Sequence, residues 1–137
     1  MKQETADAKD GHRVVHQRPV FLDLRRIRMP VGAWASIGHR LSGVVLAVTV
    51  PFAIGLLALS LRDDAGFGSV QALFMRPTVR IVAVLAAWSL AHHVLAGIRH
   101  LASDFNIGSP LRVARRSAWF VNLGGVVIAL LAAGVIL

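Results

Sequence analysis

A chain of 137 residues, 55% of them hydrophobic, with a mean hydropathy of +0.64, carries more apolar side chain than a water-soluble domain of this size can enclose in one core. It has no cysteine, which excludes disulfides, thiolate metal sites and iron–sulfur clusters built from this chain alone. The formal charge is +8, but the basic residues flank apolar runs instead of striping a polar domain, so they speak for membrane topology and against nucleic acid.

Residues 1–17, MKQETADAKDGHRVVHQ, mix acids and bases without an apolar centre. They match neither a secretory signal nor an acid-poor transit peptide, and read as a polar N-terminal tail preceding a membrane unit over 18–137. Within that unit three runs are long enough to cross a hydrocarbon core, which takes about 20 helical residues at about 1.5 Å each. They lie at approximately 37–61, 79–101 and 117–137. Each is continuously apolar instead of alternating, and lipid satisfies no free backbone group, so helices are required. The expected fold is all-α integral membrane, with three transmembrane helices and short amphipathic segments.

The entry to the first span, RMPVGAWASIGHRLSGV, places Ser36, His39 and Arg40 at i, i+3, i+4 on one helical face, with Ser42 and Gly43 opening onto the span. A hydroxyl, a permanent forked cation and a titratable imidazole together suit a quinone, whose two carbonyl oxygens need donors and whose reduction develops negative charge. The same residues also serve as a positive-inside anchor with Ser36 as a cap, and both readings stand at this level. Pro51 is expected to kink the span. In the loop that follows, RDDAGFGSVQALFMRPT, the GFGS stretch reads as a flexible corner with Ser69 as a helix cap.

The second span ends in AHHVLAGIRHLASD. On a helix, His93 and His100 fall within roughly 20° of one face, with Ala96 and Gly97 between them as a bare slot for a flat ligand. His93 lies about 10 Å deeper than His100, whereas His39, Arg40, Arg99 and His100 are placed at the membrane edge. An intramembrane imidazole is costly unless paired or ligated. Neutral imidazole ligates haem iron while its other nitrogen is held by a hydrogen bond; the alternative is that His93 hydrogen-bonds across a helix interface as structural glue. His92 points about 100° away and reads as structural. Two histidines about 10 Å apart on one helix cannot ligate one haem iron from opposite sides, so a sixth ligand would come from another polypeptide. Asp104 is expected to pair with a nearby base such as His100 one turn earlier.

Gly108-Ser109-Pro110 marks a helix start, and a short amphipathic helix from Pro110 with Arg112, Arg115 and Arg116 at the headgroups is expected to feed the third span. Small residues recur every fourth position at Ala83, Ala87 and Ala91, and at Gly125, Ala129 and Ala133, as in close helix seams. Eight Lys/Arg precede or open the first span, two lie between 62 and 78, four between 99 and 116, and none follows the last helix. The positive-inside rule then puts the N-terminus and second loop in the cytoplasm and the C-terminus outside.

Taken together, RPVFLDL at 18–24, RMP at 28–30, SIGHRLSGV at 36–44 and HVLAGIRHLASDF at 93–105 resemble the cytochrome b membrane-anchor subunit of succinate dehydrogenase, respiratory complex II. The resemblance covers the chain from about Arg18 onward. It implies that His93 is the axial ligand of a haem b iron shared with a second hydrophobic anchor subunit. It further implies that His39, Arg99 and His100 surround the haem propionates, and that Ser36 and Arg40 line the ubiquinone site. A flavoprotein with FAD and an iron–sulfur subunit would dock on the cytoplasmic face of a bacterial inner membrane and pass electrons from succinate to quinone. This chain would not oxidise succinate itself, having no dinucleotide fingerprint. Gly38 and Trp34 depart from the residues usual in such relatives and border the quinone pocket. The rival readings are a proton channel or transporter subunit using His93 and His100, and a purely structural anchor.

Overall fold

The computed structural model describes residues 29–137; the tail, the RPVFLDL motif and Arg28 lie outside the described residues. Four helices follow one another, α1 Val31–Ser60, α2 Asp64–Phe74, α3 Pro77–Asp104 and α4 Leu111–Ile136. Three of them, α1, α3 and α4, are long and apolar enough to span a bilayer. Helix α3 contains the run at 79–101 whole, whereas α1 and α4 begin ahead of the runs at 37–61 and 117–137 and end at Ser60 and Ile136, one residue short of them; the start of α4 adds the polar Arg112, Arg115 and Arg116.

The short α2 replaces the expected flexible corner. Ser69 lies inside it, and the cap is Asp63, whose Oδ1 accepts from Gly66 N at 2.6 Å. A Cβ at Gly66 would run into the carbonyl of Leu59, the penultimate residue of α1, so this glycine is needed for the close turn between α1 and α2. The separate amphipathic helix after Pro110 is likewise absent: residues 111–136 form one helix, since no glycine or proline interrupts Leu111 to Leu123. Between α3 and α4 the chain closes in a Schellman turn, Ile107 N bonding to Ala102 O and Asn106 N to Ser103 O, each at 2.9 Å. Asn106 takes the left-handed conformation at φ 57°.

Helices α1, α3 and α4 pack against one another, with α2 resting mainly on α1. Their shared core is small: among the described residues Ala35, Ala96, Ala118 and Val121 are the buried apolar ones, with Val31 and Leu95 against them, and Ser42, Ser89 and His92 the buried polar ones. The large side chains face outward, Phe52 and Phe120 at 70% exposed and Val135 at 89%. Small residues inside and bulky ones outside is the arrangement of a membrane protein, where lipid and neighbouring helices take the place of a core.

The expected seams are met in part. Gly125 of α4 is buried against Trp88 and His92, and a Cβ on its neighbour Gly124 would stand 2.9 Å from Leu95 Cδ1. On α3, however, the fully buried face is Ser89, His92 and Ala96, while Ala83 and Ala87 line an open apolar groove of about 640 Å³ between α1, α2 and α3.

Candidate functional site

Consecutive residues of α1 meet consecutive residues of α3. Gly38 lies against His92, and its neighbour His39 against His93. His93 Nδ1 stands 3.2 Å from the carbonyl of His39 and 3.3 Å from Ser42 Oγ. Because the Ser42 hydroxyl itself donates to the His39 carbonyl at 2.8 Å, its lone pairs are what it offers the ring. Nδ1 of His93 is therefore the protonated nitrogen, shared between two oxygens of one helical turn, and Nε2 carries the free lone pair. Gly43, on the next turn face, keeps room for this ring, since a Cβ there would stand 3.1 Å from His93 Cε1.

The imidazole of His39 stacks on that of His93, with centroids 4.2 Å apart and planes 24° from parallel, and leans toward His100 at 5.1 Å. One expectation is corrected here: the stripe between His93 and His100 is not bare, since the His39 ring lies between theirs. The ring of His39 lies over Gly97, where a Cβ would meet its Nε2 at 3.8 Å, and Ala96 is buried in the core. The reason is the crossing of α1: the glycines at 38 and 43 let it approach α3 closely enough for His39 to fold across the slot.

The remaining site residues separate. Arg99 turns away from the imidazoles toward α4, where Nε donates to Ser117 Oγ at 3.1 Å and Nη2 to the Ala114 carbonyl at 3.5 Å. There it lines a cleft of about 290 Å³ with Leu95, Ser103, Gly108 and Phe120. Ser36 is half-buried and Arg40 exposed on α1; among the described residues neither makes a side-chain hydrogen bond or ion pair. The expected pair between His100 and Asp104 does not form, because the His100 ring turns to α1 while Asp104 is exposed at the end of α3. Among the described residues the ion pair is Arg62 with Asp63 at 3.7 Å, both well exposed, worth little in water.

His92, read from sequence as structural, is enclosed by all three long helices, its Nε2 3.2 Å from Asn122 Oδ1. Asn122 went unnoticed in the sequence, although a lone carboxamide in an otherwise apolar span is the signal that finds it. Ser117 as the partner of Arg99 had no such signal, since serines at a membrane edge are common. At the opposite end, Arg80 ties the elements together, Nε donating to Phe74 O at 2.8 Å and Nη1 to Leu137 O at 3.3 Å.

Similarity to known proteins agrees with this frame. Residues 15–133 match the family described as succinate dehydrogenase/fumarate reductase transmembrane subunit. Among curated relatives, the succinate dehydrogenase cytochrome b556 subunit of Coxiella burnetii is 34% identical over 106 residues, 77% of this chain and 85% of the relative. The subunit of the same name from Paracoccus denitrificans is 28% identical over 114 residues, 83% of this chain and 88% of the relative. That of Rickettsia conorii is 27% identical over 123 residues, 90% and 96% of the two chains. A match across nearly all of a three-span helical chain is a statement about the whole of it, and the chain belongs to the succinate dehydrogenase/fumarate reductase transmembrane subunit family.

Proposed function

We propose that this protein is the cytochrome b anchor of a succinate dehydrogenase, holding one side of a haem b through His93 and part of a ubiquinone site through Ser36 and Arg40. The observation that carries the reading is the fixed tautomer of His93. An imidazole deep in a membrane helix, its Nδ1 engaged by a carbonyl and a hydroxyl and its Nε2 left with a lone pair, is prepared as an iron ligand. When bound, haem b would supply a one-electron redox centre.

The chain's own residues orient and exclude. His39 and Ser42 hold the ligand ring in plane, Gly43 leaves it space, and His100 stands toward the cytoplasmic end. Arg99 commits donors to α4 but retains others in its five-donor fork for an anionic group such as a propionate. Ser36 offers a hydroxyl and Arg40 a desolvatable cation to the two quinone oxygens and to the negative charge that grows on reduction. A second iron ligand would come from a partner anchor subunit. His39 cannot supply it, because rings in stacked contact at 4.2 Å leave no porphyrin thickness between them.

Partner helices also answer the exposed apolar surface and the open groove of α1, α2 and α3. Orientation follows the arginines: N-terminus and the loop between α3 and α4 on the cytoplasmic side of a bacterial inner membrane, where iron–sulfur and flavoprotein subunits dock.

The row of imidazoles, 5.1 and 4.2 Å apart, is the one feature that favours a proton path instead. It leads nowhere across the membrane. Beyond Ser42 the groove between α1 and α3 is apolar except for Thr49 and Ser60, whose hydroxyls donate to their own helix at 2.9 and 2.8 Å. The separating experiment is the dithionite-reduced spectrum of the complex purified with its partners. A b-type α band that His93→Ala abolishes supports the haem reading; proton flux without a chromophore would replace it.

A further inference from the structure

Beside His93 stands a second imidazole for which the cofactor site has no direct use. His92 is 3% exposed, and its ring fills a hole between two glycines. A Cβ on Gly38 of α1 would stand 2.6 Å from Cε1 and 2.8 Å from Nε2, and a Cβ on Gly125 of α4 would stand 3.2 Å from Cδ2. Trp88, one turn earlier, closes the hole with its ring centroid 5.4 Å away. The ring thus touches α1 on one side and α4 on the other, and Nε2 donates to Asn122 Oδ1.

Space-filling alone does not explain the choice of residue. His92 Nδ1 is buried without a partner, as is the hydroxyl of Ser89 on the same face. A leucine would fill the volume without that cost. What an imidazole adds is a directed bond to α4 from a ring that only glycines can accommodate. Gly38 and His39 are adjacent on α1, as are His92 and His93 on α3, so the contact that seats His92 also sets how near the His39 carbonyl comes to His93 Nδ1.

We propose that His92 is a positioning residue for His93: held between Gly38 and Gly125 and tied to Asn122, it fixes the rotation of α3 and its distance from α1 that bring the His39 carbonyl onto His93 Nδ1. This rests on His93 being the haem ligand. The neighbouring ring then governs the plane and the hydrogen bond of the ligand ring without touching iron.

The test uses the assembled complex and reads the reduced α band, the low-spin EPR g-values of the oxidised iron, and haem retention in detergent. Asn122→Leu leaves the ring in its hole and removes its partner, whereas His92→Leu removes the ring. His92→Gln keeps an N–H donor at similar reach. Both leucine variants are expected to shift the band and the g-values and to lower haem retention about ten-fold, the smaller effect typical of lost ligand-orienting groups; His92→Gln is expected to return all three toward wild type. Should His92→Leu fail to assemble, Asn122→Leu alone decides. Unchanged band and g-values with only a lower melting temperature would overturn the proposal and leave His92 as packing. A wild-type complex without any b-type band overturns the haem reading as well, so the two failures look different.

Discussion

At the scale of single residues, the chemistry depends on which hydrogen bonds are already committed. His93 is prepared because two oxygens of α1 hold one of its nitrogens, and Arg40 is available because nothing among the described residues holds it. Arg40→Leu is therefore expected to lower quinone reduction about ten- to a hundred-fold, the worth of one charge-assisted hydrogen bond of about 1.5–3 kcal/mol. Succinate oxidation by a soluble dye and the haem spectrum should stay as in wild type, since Arg40 is exposed and among the described residues makes no hydrogen bond to an imidazole. Equal loss of dye and quinone activity would instead mean failed assembly. The histidines and the arginine were legible as a costly set in a greasy run. That His39 would fill the slot between His93 and His100 was not, because one helix wheel shows what shares its own face and nothing about where the next helix crosses.

The elements follow from local rules wherever the chain obeys them. Hydropathy places the three spans, and all three helices start ahead of them because helix formation does not wait for the apolar stretch. The loop between α1 and α3 departs from its expected corner for a physical reason: glycine usually marks a corner, but Gly66 is where a helix start comes against the Leu59 carbonyl, and Asp63 provides the cap. Two substitutions separate these roles. Asp63→Ala is expected to cost about 1 kcal/mol, as cap removals do, while Gly66→Ala should cost more, because a backbone carbonyl cannot step aside as a flexible side chain can. Thermal unfolding of the detergent-solubilised complex checks the order. A Gly66→Ala variant as stable as wild type would show that α1 and α2 are not so closely joined.

The whole molecule turns its apolar bulk outward. Among the described residues the buried apolar core is Ala35, Ala96, Ala118 and Val121, beneath outward-facing phenylalanines, leucines and valines that suit lipid or neighbouring helices. Absence of cysteine makes orientation straightforward to read, because any introduced thiol is the only one on the chain. Asn106→Cys is expected to react with an impermeant maleimide only from the cytoplasmic side, and Asp64→Cys only from the outside; the reverse pattern would invert the topology and strand the arginines of α4 on the wrong face. The most direct measurement is an experimental map of the assembled complex around His93. Iron bonded to Nε2, with Nδ1 still turned to the His39 carbonyl and a second axial ligand arriving from the partner anchor, is the expected result. Lipid or protein packed against that nitrogen, with no porphyrin beside it, would contradict it.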